Sequence, residues 1–127
     1  MNRPEGSGTR VLTELLLQRE GIAARAVNGW DNTELTHAAV AAYVASGMAD
    51  VGIGVQTAAQ RFGLHFIPLL RERYFFAAPA GALHSDTLRP VLSVLRSPAF
   101  RARVAALKGY EAAQTGQVLT LAEAFGT

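Results

Sequence analysis

Ile22-Ala23-Ala24-Arg25-Ala26-Val27 is the stretch on which the fold turns. Ile22, Ala24 and Ala26 alternate with Ala23, Arg25 and Val27, and a period of two predicts a short strand. The residues before it predict a helix. Val11, Leu12, Leu15 and Leu16 fall at helical spacing, with Arg10, Glu14, Gln18 and Arg19 off that stripe, and Gly21 stands where the helix ends. After the stretch, Asn28-Gly29-Trp30-Asp31-Asn32 reads as a loop. Thr36 is the N-cap of a predicted helix from His37 to about Ser46; Asp31, with Glu34 three residues on, is an alternative start. Residues 38–45 are apolar on every face, so this helix is expected to be covered on more than one side.

The same alternation continues along the chain. Asp50-Val51-Gly52-Ile53-Gly54 predicts a strand, and Val55 to Phe62 a helix stopped by Gly63. Leu64 to Leu70 predicts an edge strand interrupted by Pro68. Tyr74-Phe75-Phe76-Ala77-Ala78 predicts a further strand, a buried one before it is a stacking platform for bases. Two helices follow, near Ser85–Arg96 and Pro98–Lys108, the second capped by Ser97. Gly109 to Thr127 is the least periodic part. Strands alternating with helices predict an α/β fold with a mixed, mostly parallel sheet flanked by helices. Ligands of such sheets bind beyond the carboxyl ends of the strands, where helices begin.

Composition narrows the classes. The 127 residues are about one domain's worth. Half are apolar and 17% charged, which describes a globular chain. No apolar run approaches the ~18 residues needed to span a bilayer, and no signal core follows Met1, so no membrane contact and a cytoplasmic location are expected. Cysteine is absent, which removes disulfides, thiolate nucleophiles and cysteine metal sites. His37, His65 and His84 are dispersed, so no metal site is expected. The net charge is +2, and every cation except Lys108 is an arginine. Only 96–103 is dense in arginine, and it reads as a solvated helix face, so no direct nucleic-acid binding is expected.

The chemistry-bearing stretch is Arg3-Pro4-Glu5-Gly6-Ser7-Gly8-Thr9-Arg10, at the start of the first helix. Its glycines let backbone approach a ligand, and the first-turn N–H groups and the helix dipole favour an anion. Ser7 and Thr9 add hydroxyl donors. Arg3 or Arg10 adds a forked guanidinium suited to an oxyanion. The Gly-Lys-Ser/Thr ending of a Walker A loop and the third glycine of a dinucleotide fingerprint are both missing. The bland reading is a capped helix with a flexible entry. Thr36 and His37 open a second helix start that offers an opposing donor set or a simple cap, and Trp30 is either a core aromatic or a cleft wall. No nucleophile, base or carboxylate pair stands out, so no catalysis is expected.

Asn2-Arg3-Pro4-Glu5-Gly6-Ser7-Gly8-Thr9-Arg10 resembles the Asn-Arg-x-x-Gly-Ser-Gly-Thr-Arg segment of the periplasmic-binding-protein-like (PBP-like) domain family. Those domains occur fused to helix-turn-helix regulators or to molybdopterin-biosynthesis proteins. Residues 36–47 with 49–54, Phe66-Ile67-Pro68-Leu69 with Glu72-Arg73-Tyr74, residues 95–101, and Gly109-Tyr110 with Thr115-Gly116 are similar to the family's later blocks. The first block is also similar to a segment of tungstate-binding proteins. The resemblance implies a type II periplasmic-binding fold, read here as one lobe plus a return segment. The second lobe would span about 4–70, the return segment about 71–118 and an irregular tail 119–127, with the N-terminal half of the first lobe absent. It further implies a tetrahedral oxyanion ligand, such as molybdate, tungstate, sulfate or phosphate, and no other cofactor. Arg3, Ser7, Thr9 and Thr36 would be its contacts, and Gly8 and Arg10, read from the loop itself, complete the expected binding set.

The resulting expectation is a non-enzymatic sensor module of a regulator or molybdenum-cofactor-related protein. Alternatives are a module for an organic anion held by Arg10 and Trp30, an accessory domain in molybdopterin biosynthesis, and a structural remnant. A homo-oligomer or a missing N-terminal module is expected to cover residues 74–78 and the 38–45 helix.

Overall fold

The structure is a computed structural model and describes residues 1–126. Thr127, the end of the expected irregular tail, lies outside the described residues. The described chain is helical: α1 Gly8–Arg19, α2 His37–Ala45, α3 Gln56–Arg61, α4 Leu88–Arg96, α5 Pro98–Ala105 and α6 Leu121–Phe125, with 3-10 turns at Ala24–Ala26 and Ala80–Ala82. It divides into two compact units, Met1–Leu69 and Leu70–Thr127.

The expected mixed, mostly parallel sheet is not formed. Among the described residues the single strand pairing is a parallel bridge between Asn2 and Thr33. The Asn2 N–H donates to Asn32 at 2.9 Å and the Glu34 N–H to the Asn2 carbonyl at 3.0 Å. On the other side of the same segment the Met1 amino group donates to the Val51 carbonyl at 3.0 Å. Three segments therefore meet at residues 1–2, but Pro4 has no N–H to continue a ladder.

The decisive stretch 22–27 is not a strand. The Ala26 N–H closes onto Ala23 at 2.8 Å and the Val27 N–H onto Ala24 at 3.0 Å, making a 3-10 turn. Its alternation is mostly among alanines, which bury too little on either face to favour pairing over local hydrogen bonds. Residues 50–54, 64–70 and 74–78 likewise form no ladder. A strand exists only when a second segment accepts its hydrogen bonds, and here none is in register.

The helices follow their local signals. Ser7 caps α1 by accepting from the Arg10 N–H, Thr36 caps α2 through Ala39, and Ser97 caps α5 through Phe100 with Pro98 at its first turn. The aperiodic tail contains α6, opened by a capping box in which Thr120 and Glu123 serve each other's backbone N–H.

In the N-terminal unit the buried apolar residues are Val40, 3% exposed, with Ala41 and Ala58. They join α2 to α3. Gly52 lies so close to α2 that a Cβ there would fall 2.4 Å from Val40 Cγ1, which explains a glycine at that position. Of the apolar stripe of α1, Leu12 and Leu16 are half-buried and Val11 and Leu15 exposed, while the buried side chains of the helix are Arg10 and Thr13.

The C-terminal unit buries only Ala124 among its apolar residues. Arginines tie its segments to carbonyls instead. Arg96 Nε donates to Gly116 and Arg101 Nη2 to Thr115, each at 3.0 Å. Arg73 donates to the Ala124 carbonyl, and Arg71 pairs with Glu111.

Candidate functional site: the entry to the first helix

Gly6 takes a positive φ of 82°, which turns the chain from Pro4 into α1; the Ser7 N–H donates back to the Pro4 carbonyl at 3.2 Å. The Ser7 hydroxyl then accepts from the Arg10 N–H at 3.2 Å. Of the four backbone N–H groups at residues 7–10, two are therefore engaged. The Gly8 and Thr9 N–H groups have no partner among the described residues. No heavy atom beyond the chain neighbours lies within 4 Å of where a Cβ would sit on Gly6 or Gly8, so this face of the loop is open.

Arg3 is half-buried in the same loop, its N–H bound to Asn2 Oδ1 at 2.9 Å. Its Nε is buried and has no hydrogen-bond partner among the described residues. Asn2 orients the segment: its side-chain amide donates to the Trp30 carbonyl at 3.3 Å while its backbone spans Asn32 and Glu34. The bridge is parallel, so residues 2–3 and 33–34 run alongside each other toward the starts of α1 and α2. Thr36 opens α2 three residues beyond the bridged Thr33, and no contact joins it to Arg3, Ser7, Gly8 or Thr9 among the described residues.

Arg10 is held elsewhere. Only 9% exposed, it lies over the Trp30 ring with its guanidinium carbon 3.9 Å from the centroid. Its Nε pairs with Glu14 Oε1 at 2.9 Å and its Nη1 donates to the Trp30 carbonyl at 3.1 Å. The Arg10–Trp30 pair thus ties α1 to the 28–32 loop. The sequence reading set both residues beside an organic anion in one alternative, and the stacking of one on the other was not legible because they are twenty positions apart. The Thr9 carbonyl accepts from the Thr13 hydroxyl at 2.7 Å, and the Thr9 hydroxyl, a separate neutral group, has no hydrogen bond among the described residues. Thr36 is exposed and accepts from the Ala39 N–H at 3.0 Å. His37 packs its ring on Gly54, where a Cβ would sit 3.3 Å from Nδ1.

A separate groove of about 710 Å³ lies in the C-terminal unit, lined by Leu83, His84, Arg89, Leu92, Arg96 and Val118 among others. It contains none of the residues expected to bind ligand. Nothing in the sequence pattern marked it, because it depends on α4 packing beside residues 83 and 118. Among the described residues no group of three His, Cys, Asp or Glu side chains is placed to hold a metal ion, and no helix is long and apolar enough to cross a membrane.

Residues 1–96 match the PBP-like family, the PBP superfamily domain, and the chain belongs to that family. The chain is 37% identical over 119 residues to the uncharacterized protein YvgK of Bacillus subtilis strain 168, a match covering 94% of this chain and 38% of that protein. It is 30% identical over 101 residues to an uncharacterized Clostridium pasteurianum protein encoded in the 5′ region of a 2Fe-2S ferredoxin gene, covering 79% of this chain and 89% of the relative. No solved structure matches the chain.

Proposed function

We propose that this PBP-like domain is a non-enzymatic receptor for a small tetrahedral oxyanion, seated at the start of α1. The observation that carries the reading is the buried Arg3 Nε without an acceptor, in the same loop as the unpartnered Gly8 and Thr9 N–H groups. A buried donor left unmade costs ~1–3 kcal/mol, more when charged, and an anion in the loop would remove that cost. Two amides, the Thr9 hydroxyl and the Arg3 guanidinium converge in type on one acceptor of several oxygens. The Ser7 hydroxyl accepts from Arg10 and still has its own proton to donate. Arg10 serves as a background positive charge instead of a direct ligand, because Glu14 and Trp30 already engage it.

Molybdate and tungstate are the anions this reading favours, on the likeness of residues 2–10 to segments of proteins that bind them. The reading places the domain in a cytoplasmic regulator or a molybdenum-cofactor-related protein. Titration calorimetry of the chain with molybdate, tungstate, sulfate and phosphate tests it. Arg3→Ala should weaken binding tenfold to a hundredfold, since a charge-assisted hydrogen bond is worth ~1.5–3 kcal/mol. Arg3→Lys should recover only part, because an ammonium cannot fork across two oxygens. Thr9→Val should cost less than Arg3→Ala. Failure of all four anions to bind at millimolar concentration would sink the reading, and so would an Arg3→Ala variant of unchanged affinity.

A second reading rests on the groove beside α4. Arg89 and Arg96 flank Leu83, Leu92 and Val118 there, a lining suited to an organic anion with an apolar body. Competition separates the two readings: benzoate would shift amide resonances of α4 and leave those of residues 7–9 unmoved.

A further inference from the structure

Arg3, Ser7, Gly8 and Thr9 lie between two residues whose side chains end on one atom. The Asn2 carboxamide donates to the Trp30 carbonyl at 3.3 Å, and Arg10 Nη1 donates to the same oxygen at 3.1 Å. No backbone N–H reaches that oxygen among the described residues, so side chains from the two ends of the loop share its lone pairs. The acceptor is itself fixed: the Trp30 N–H donates to Val27 and the Asn32 N–H to Gly29, each at 3.1 Å. The loop is thus closed at its base by a carbonyl that belongs to neither end.

Asn2 is 5% exposed, and burial by itself requires only that its polar atoms find partners. The partners it finds belong to this loop. Its Nδ2 goes to Trp30, and its Oδ1 accepts the N–H of Arg3, the residue whose buried Nε lacks an acceptor. One side chain therefore fixes the backbone of Arg3 and, through the shared oxygen, its span to the first turn of α1. A span fixed in the free chain spares the ordering cost that a slack loop meets on binding, and it suits oxyanions of one size better than another. We infer that Asn2 is a positioning residue for the anion site and sets its preference among oxyanions, touching no ligand itself. The inference rests on the oxyanion reading of the loop and adds to it a residue outside the donor set.

Calorimetric titration with molybdate and with sulfate tests it, on the unsubstituted chain, Asn2→Leu, Asn2→Asp and Arg3→Ala. The unsubstituted chain is expected to bind the two anions unequally. Asn2→Leu should weaken the preferred one about tenfold and cut the ratio of the two affinities about threefold or more. A variant that only unfolds part of the population weakens both anions by one factor, so the ratio separates positioning from stability. Asn2→Asp keeps the acceptor for Arg3 and loses the donor to Trp30; its added charge repels both dianions alike, so the ratio should fall there too. In the free chain the amides of Arg3, Gly8 and Thr9 should show NMR order parameters close to the ~0.85 of rigid backbone. Values nearer the ~0.6 of flexible segments overturn the inference without recourse to any variant. Equal binding of the two anions, or a ratio unmoved by the Asn2 variants while Arg3→Ala still weakens binding, overturns it and leaves the oxyanion reading standing. Absence of binding by the unsubstituted chain overturns that reading and the inference with it.

Discussion

The two units reach order by different means. Residues 1–69 use close backbone approach: Gly52 against Val40, Gly54 against His37, and residues 1–2 between 32–34 and 51. Residues 70–127 use arginines that reach across to carbonyls, with almost no apolar burial. The difference teaches where each unit is sensitive. A unit held by backbone contact fails when a methyl is added. One held by exposed charged hydrogen bonds loses little from any single deletion, since water replaces most of what is removed.

The largest effect should come from the N-terminal unit. Gly52→Ala puts a methyl on Val40 Cγ1 at 2.4 Å, and a β-branched neighbour cannot swing away. A loss of ~1–3 kcal/mol is expected in urea denaturation. Val40→Ala in the same background should recover part of it by vacating the space, and full additivity of the two changes would break the packing account.

Next is Gly116→Ala in the C-terminal unit. Gly116 has φ of 81°, and a Cβ there would lie 2.7 Å from Arg96 Cγ. The left-handed conformation alone costs a non-glycine residue ~1–2 kcal/mol. This change should lower the melting temperature and release the Arg96 contact, seen as loss of its Nε–H resonance.

Smaller still are Arg96→Ala and Arg101→Ala, each removing an exposed bond to a carbonyl. Each should cost about 0.5–1.5 kcal/mol, toward the low end because water reaches the site. A cost above that of Gly52→Ala would overturn the contrast between the units.

The smallest effect is a pH response at α6. The backbone N–H and hydroxyl of Thr120 hold the Glu123 carboxyl below its ordinary value of 4.5. A carboxyl lowered in the folded state adds stability above its unfolded pKa, and the contribution is lost as pH falls through the folded one. Fraying of Leu121–Phe125 should therefore appear only below pH 4.5, and Glu123→Gln should remove that dependence in chemical-shift titration.

Helices and their starts were legible because their signals are local. Ser7, Thr36 and Ser97 each cap through an N–H three residues on, a contact written within one turn of sequence. The capping box at Thr120 and Glu123 was equally local, and it went unread because the five-residue helix it opens is too short to show periodicity. Arg3, Ser7, Gly8 and Thr9 were legible as one loop for the same reason, since the chain itself holds them together.

Long-range choices were not legible. The alternation at 22–27 is compatible with a strand, but strand identity is conferred by a partner segment, and the tertiary structure satisfies those amides in a 3-10 turn. The fate of Arg10 was decided the same way: its type suits an anion, and only the folding of residues 28–32 against α1 committed it to Trp30 and Glu14. By itself the sequence determined helix positions, caps and the donor-rich loop, all set by interactions within a few residues. The tertiary structure alone decided which extended segments pair, which arginines are engaged and which glycines admit no side chain, because each depends on atoms that chain connectivity does not bring together.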